Sequence, residues 1–298
     1  MDFAPIVLFV YNRLDHLKLT LKSLKKNKEA SNTDLIIYSD GPKNKLDKVN
    51  VYKVRSFLKR VSGFKKKKII CRVKNIGLAN NIVNGINQTF KKYDKAIIIE
   101  DDILVSNVFL KFMNTNLISY NKNKNVASIH GYCYPIKFKK NNEETFFLKG
   151  ADCWGWGTWK RAWKEYNNNS KYLINLIKRK NLQREFDFNY SYPYLEMLKL
   201  TEKKNHSWAI KWYASAFVKN MFTLYPKKSY VRNIGNDGSG TNSSVQKKFY
   251  TNNLNNKVSF KKIEIKDNNE ARTLFEKFFN KIYKKENILN KLMRFIKI

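Results

Sequence analysis

The sequence is poor in cysteine, poor in acid relative to base, and free of long apolar runs. Its three cysteines, Cys71, Cys133 and Cys153, stand far apart in 298 residues. They form neither a paired zinc-ligand spacing nor a disulfide framework, so a reducing compartment is the simpler expectation. No apolar stretch approaches the roughly 20 residues needed to cross a bilayer. The opening residues lack a basic segment followed by an apolar one, so no signal peptide is expected. Neither a glycine-rich dinucleotide fingerprint nor a phosphate-loop Lys-Ser motif occurs, which argues against ordinary NAD and ATP sites. Asp and Glu number 24 against 59 Lys and Arg, a formal charge of +35. That excess attracts nucleic acid, anionic lipid or phosphorylated small molecules, or forms a solvated basic surface with no single partner. What is present suffices for a substantial core: 43% of residues are apolar and 14% aromatic. The length fits one large domain or two small ones.

Three of the 24 acids stand in a row. Ala96, Ile97, Ile98 and Ile99 run directly into Glu100, Asp101 and Asp102. An apolar run without polar alternation reads as a strand covered on both faces, as in a parallel α/β sheet. Three carboxylates cannot follow it into the core, because burying unpaired charge is costly. They should stand where the strand leaves the sheet, the position at which open α/β sheets bind ligands. A divalent cation shared with a phosphate would relieve their repulsion.

The preceding chain alternates strand and helix. Pro5–Tyr11 reads as a buried strand, closed by Asn12 and Arg13, and Leu14, Leu17, Leu21 and Leu24 then recur at helical spacing. Asn12 and Arg13 at this crossover either meet a nucleotide or phosphate, or serve as a helix cap and a surface arginine. Asp34–Ser39 is a second strand, ended by Asp40, Gly41 and Pro42. Asp40 either accepts from ribose or base groups or makes a local turn. Val51, Val54, Leu58 and Val61 mark the next helix, on which Asp47 and nearby lysines read as solvent-facing. A basic run at Lys65–Lys68 leads into a third strand. Leu78, Ile82, Ile86 and Phe90 then mark a helix in which small residues at 77, 79 and 85, beginning with Gly77, permit close packing or close approach of a ligand.

In the second half a helix is expected over Val105–Tyr120, and a strand over Val126–Tyr134 contains His130, a ligand or a packed histidine. Trp154, Trp156 and Gly157 belong to a stretch in which glycine and tryptophan alternate, next to Asp152. Flat indole faces on a close backbone suit a sugar ring or stacked bases, and pack equally well in a core. Asp152 is the first candidate to take a proton from a hydroxyl nucleophile, followed by Glu196 and Asp237. The loop Asn233–Asn242, which holds Asp237, either closes over a diphosphate through its backbone or is a surface turn. Residues 243–268 read as weakly structured. From Glu270 a basic amphipathic helix follows, with Phe275, Phe278, Phe279 and Ile282 on one stripe. It suits an anionic membrane surface, the main domain, or another subunit.

Taken together, these motifs resemble a glycosyltransferase of the GT-A fold that uses nucleotide-activated sugars, over about residues 5–242. The likeness extends to bacterial surface-polysaccharide transferases, including those of lipopolysaccharide, and distantly to N-acetylglucosaminyltransferase I. It implies a mixed, mostly parallel sheet flanked by helices. The catalytic domain would span 1–242, with a nucleotide-sugar half over 1–104 and an acceptor half over 105–242. Residues 243–298 would be a linker and amphipathic extension. By this resemblance Tyr11, Asn12, Arg13, Asp40, Gly77, Glu100 and Asp101 bind the donor, and Asp102 ligates Mn²⁺ or Mg²⁺. Trp154, Trp156 and Gly157 meet the acceptor. The implied reaction moves a hexosyl or N-acetylhexosaminyl group from a nucleotide diphosphate-sugar to a lipid-linked or surface glycan, with inversion. The expected location is cytoplasmic, peripheral on the inner face of the membrane, with no nucleic-acid partner. One departure stands out. The segment Trp208-Ala209-Ile210-Lys211-Trp212 lacks the carboxylate that the N-acetylglucosaminyltransferase pattern carries there. The alternatives are a nucleotidyltransferase and a noncatalytic nucleic-acid-binding protein.

Overall fold

The computed structural model describes residues 3–139, 143–203, 207–235, 237, 249 and 253–283. Its first half follows the sequence periodicity closely. In order come β1 (Ile6–Val10), α1 (Leu14–Lys25), β2 (Leu35–Ser39), α2 (Lys45–Lys59), β3 (Lys67–Cys71), α3 (Leu78–Thr89) and β4 (Lys95–Glu100). All residues of β1 and β2 are buried. The helices present Leu17, Leu21 and Leu24, then Val51, Val54 and Leu58, then Ile82 and Ile86, to the core. Burial of these stripes, rather than helix propensity, holds the helices in place.

The second half comprises β5 (Ile103–Val105), α4 (Phe109–Ser119), β6 (Val126–His130), β7 (Thr145–Lys149), β8 (Trp156–Trp159) and α5 (Lys160–Trp163). After these come α6 (Ser170–Arg179), α7 (Gln183–Phe186), α8 (Tyr194–Lys203), α9 (Trp208–Val218), β9 (Phe222–Pro226), β10 (Val231–Asn233) and α10 (Asn269–Tyr283). Eight strands form one sheet in the order β3-β2-β1-β4-β8-β6-β9-β7, and β10 pairs with β5 in a separate ribbon. In the large sheet β8 runs antiparallel to β4 and β6, β7 runs antiparallel to β9, and the remaining pairs are parallel, while the β10–β5 ribbon is antiparallel. This is a mixed, mostly parallel sheet between helices, of the Rossmann-like GT-A type.

Register fixes what meets at the rim. Phe9 of β1 lies opposite Glu100 of β4, and Val10 lies opposite Ser39 of β2. Tyr11–Arg13, Asp40 and Glu100–Asp102 therefore leave the sheet on the same side. Ile98 of β4 pairs with Trp156 of the antiparallel β8, and His130 of β6 pairs with the same tryptophan. The residues just before Trp156 thus run past the acidic end of β4.

Trp156 and Gly157, expected at an acceptor surface, are core residues. Trp156 is fully buried and stacks on Trp208 at 5.6 Å, with Trp163 and Trp212 each 5.9 Å away. A Cβ at Gly157 would stand 3.1 Å from Leu117, so this glycine admits α4 onto the sheet. The aromatic-packing alternative holds at both positions.

The C-terminal helix α10 is docked. Ala271, Phe275 and Phe279 are buried in a second cluster with Phe146, Phe186 and Phe217. The described residues 253–268 carry no helix or strand, yet they are pinned to the domain. Ile263 N–H donates to the Tyr120 hydroxyl at 3.0 Å, and Asn268 N–H donates to the Phe147 carbonyl at 2.9 Å. The rest of the expected amphipathic extension, 284–298, lies outside the described residues.

Candidate active site

Asp101 and Asp102 are nearly buried, 4% and 9% exposed, and Glu100 is half-buried. One guanidinium nitrogen of Arg13 donates to Asp101 Oδ1 and Asp102 Oδ2, each at 2.7 Å. Asp101 Oδ2 accepts from the Tyr11 N–H at 3.1 Å, and the Thr20 hydroxyl donates to the Asp101 carbonyl at 2.8 Å. The end of β1 and the face of α1 therefore brace the end of β4. On the other side, the Ile234 N–H donates to the Asp102 carbonyl at 2.9 Å, drawing the chain after β10 over the acids. Gly235 follows there because a Cβ would run into the Asp102 carboxylate and the Arg13 guanidinium.

The electrostatics express a shortage of positive charge. Burial first, then Asp102 and Asp101, push the Glu100 carboxyl up to about 8. Burial also raises Asp101, although Arg13 opposes the shift. For Arg13, burial alone would lower the pKa, but Asp101 and Asp102 more than reverse this and keep the guanidinium charged. One cation cannot balance three carboxylates in a site this dry.

Among the described residues, no group of three or more His, Cys, Asp or Glu side chains converges as a metal cage. Mg²⁺-like cations commonly need less, taking one or two carboxylates plus substrate phosphates and waters. Arg13 meets Asp102 through its Oδ2. This hard oxygen donor set, short of positive charge, fits such a cation.

Next to the acids, the Tyr11 hydroxyl donates to Asp47 Oδ2 at 2.8 Å and accepts from the Lys43 N–H at 3.1 Å. Asn12 Nδ2 donates to Asp47 Oδ1 at 2.9 Å. Asp47 is thus not a solvent-facing residue of α2 but a partner of two expected donor-site residues. Burial and the Asp47 bond raise the Tyr11 phenol to about 12, so it stays a hydrogen-bond donor at neutral pH. Asp40 is buried where the chain turns after β2. Its Oδ1 accepts from Gly41 and Ile76 N–H groups, at 2.9 and 3.1 Å, and its Oδ2 accepts from the Gly77 N–H at 3.1 Å. Asp40 ties the start of α3 to the end of β2, and Gly77 supplies the required positive φ of 79°.

Asp152 lies across the rim with its side chain 23% exposed. Its Oδ1 accepts from the Cys153 N–H at 2.8 Å. His130 is fully buried, and its Nε2 accepts from the Trp154 N–H at 3.0 Å. Trp154 is half-buried and meets Tyr132 edge-on at 4.7 Å. Burial raises the Cys153 thiol well above its usual range, helped by Asp152, Glu100 and Asp102, so these carboxylates share one neighbourhood.

The other two proton-acceptor candidates diverge. Glu196 is exposed on α8, pairs with Lys199 at 2.6 Å, and rides on a helix packed against α6, α7 and α9 rather than at the strand ends. Asp237 lies at the rim, 3.1 Å from His16 Nε2. Residues 236 and 238–242 of its loop lie outside the described residues. Besides Asp47, sequence reasoning missed His16, Thr20 and Gly235. Their partners are far away in the chain, and no local pattern marks them.

No protein-family model matches the chain, and no curated protein does. Among solved structures it is similar to TarS of S. aureus, at 12% identity and a TM-score of 0.39, over 76% of this chain and 36% of that one. TarS 1-349 gives 11% identity and a TM-score of 0.38, over 76% of this chain and 59% of that one. Mannosyltransferase PcManGT from Pyrobaculum calidifontis, in complex with GDP-Man and Mn²⁺, gives 11% identity and a TM-score of 0.29, over 43% of this chain and 37% of that one. The chain therefore spans less than two thirds of each of these proteins.

Proposed function

We propose that this protein is a metal-dependent glycosyltransferase that moves a sugar from a nucleotide diphosphate-sugar to an acceptor hydroxyl with inversion. The observation that carries the reading is the acidic end of β4, three carboxylates held against a single guanidinium. Acids collected at a strand exit and left short of positive charge suit a cation that brings a phosphate with it.

Asp102, with Glu100, would hold Mn²⁺ or Mg²⁺. When bound, that cation supplies positive charge to the leaving diphosphate. Arg13 adds a fixed positive charge at the same place and holds Asp101 and Asp102 in position. Tyr11, Asn12 and Asp47 shape the wall beside the acids, where the nucleoside half of the donor lies. Asp152 takes the proton of the acceptor hydroxyl as the anomeric carbon is attacked, with the Trp154 face alongside. The basic surface suits a lipid-linked or surface-polysaccharide acceptor at an anionic membrane.

A panel of nucleotide sugars with Mn²⁺, scored for released nucleoside diphosphate, tests this reading. Turnover of at least one donor is expected, with a loss of about 100-fold or more in Asp102→Asn. Release of pyrophosphate instead would indicate nucleotidyl transfer. Metal-independent binding to single-stranded nucleic acid, without turnover of any donor, would indicate the noncatalytic alternative.

A further inference from the structure

We infer that His130 is the positioning residue of Asp152, its buried Nδ1–H aimed at the carboxylate that takes the acceptor proton. The inference rests on the glycosyl-transfer reading for its consequence and on geometry for its substance. A backbone N–H can only donate, so the bond from Trp154 to Nε2 requires a lone pair on that nitrogen. The neutral ring must then carry its proton on Nδ1. Nδ1 has no hydrogen-bond partner, and it stands 3.8 Å from Asp152 Oδ2. That distance is too long for a hydrogen bond, and among the described residues the only other group facing the ring proton, the Tyr132 backbone, also falls short of hydrogen-bond geometry at this fully buried donor.

Asp152 is tethered on its other oxygen by the Cys153 N–H. A small turn of its carboxylate therefore brings Oδ2 onto Nδ1–H without releasing the tether. In that position an N–H from a neutral ring stabilises the ionised carboxylate and holds its exposed lone pair toward the rim. The remaining titratable groups around Asp152 are Cys153, Cys133, Tyr134 and Tyr225, all held protonated by burial, with Glu100 and Asp102 beyond Cys153. None of them brings a positive charge, so besides the N–H and thiol of Cys153 the imidazole N–H is the donor that faces this carboxylate from the protein core.

Two variants separate the roles of the ring. His130→Gln keeps an oxygen for the Trp154 N–H but offers no donor at the Nδ1 position, whereas His130→Asn places an amide N–H there. The Asp152 carboxyl midpoint is followed by ¹³C NMR, alongside the pH profile of kcat. In His130→Gln the midpoint and the acidic limb are expected to rise by about one unit, with kcat near neutral pH down about tenfold and the donor KM unchanged. His130→Asn should restore both to within about threefold. In the unaltered protein, ¹⁵N shifts should place the ring proton on Nδ1. A proton on Nε2, or an Asp152 midpoint unmoved in a folded His130→Gln, would overturn the inference. If no sugar donor turns over, the transferase reading fails, while the midpoint still decides whether His130 supports Asp152.

Discussion

At Arg13 a single guanidinium nitrogen reaches both Asp101 and Asp102 at 2.7 Å, with the two carboxylates 6% and 13% exposed. Arg13→Ala would leave both charges without their partner, and breaking such a pair typically costs about 3–5 kcal/mol. Urea unfolding should show a loss of that order. Arg13→Lys should recover only part of it, because the shorter side chain must carry its ammonium to the place that one guanidinium nitrogen holds. A second residue-scale expectation concerns acid. Burial lowers the His130 pKa below its ordinary 6.5, so the unfolded chain binds the proton more readily than the folded one. The contribution is complete above about 6.5 and is lost as pH falls through the depressed native value. The denaturation midpoint should decline over that range, and less so in His130→Asn. Glu100, Asp101 and Asp102 were legible in the sequence because three charges break an apolar run. Asp47 was not, since its meaning comes from Tyr11 and Asn12, 36 and 35 residues away. Asp40 read equally as a donor contact or a turn residue, and its bonds from the N–H groups of Ile76 and Gly77 were hidden because they come from 36 and 37 residues away.

The strands and helices of the first half were legible because each carries one clean period: unbroken apolar runs for β1, β2 and β4, and three-to-four spacing for α1, α2 and α3. The second half was harder for a physical reason. β8 is an interior strand with both faces covered, and its four residues Trp-Gly-Thr-Trp show neither period. Alternating glycine and tryptophan then looked like a binding surface, although the indoles pack on α9. Trp156→Ala should therefore cost about 3–5 kcal/mol in unfolding while leaving the acceptor KM unchanged. A raised acceptor KM at full stability would return Trp156 to the binding surface. α10 offers a parallel case, because its stripe read equally as a membrane face or a docking face. Phe279 is fully buried, so Phe279→Ala should lower stability by about 3–5 kcal/mol.

For the molecule as a whole, the +35 charge remains the feature that the fold does not use internally. No described helix is long and apolar enough to cross a membrane. With α10 docked through Phe275 and Phe279, membrane contact would fall to the basic surface and to residues 284–298. Flotation with anionic vesicles should be strong at low salt and largely lost at about 0.5 M salt, where charges are screened over a few ångströms. Deleting 284–298 keeps the described α10, with its buried Phe275 and Phe279, and so tests this contribution without removing core residues. The central claim is that Asp102 and its neighbours hold a cation jointly with a diphosphate. Paramagnetic resonance of Mn²⁺ tests it most directly, titrated with and without a nucleoside diphosphate in the wild type and in Asp102→Ala. The expected result is weak Mn²⁺ binding alone, much tighter binding with the diphosphate, and loss of that enhancement in a folded Asp102→Ala. Equal Mn²⁺ binding by both proteins in the presence of the diphosphate would contradict it.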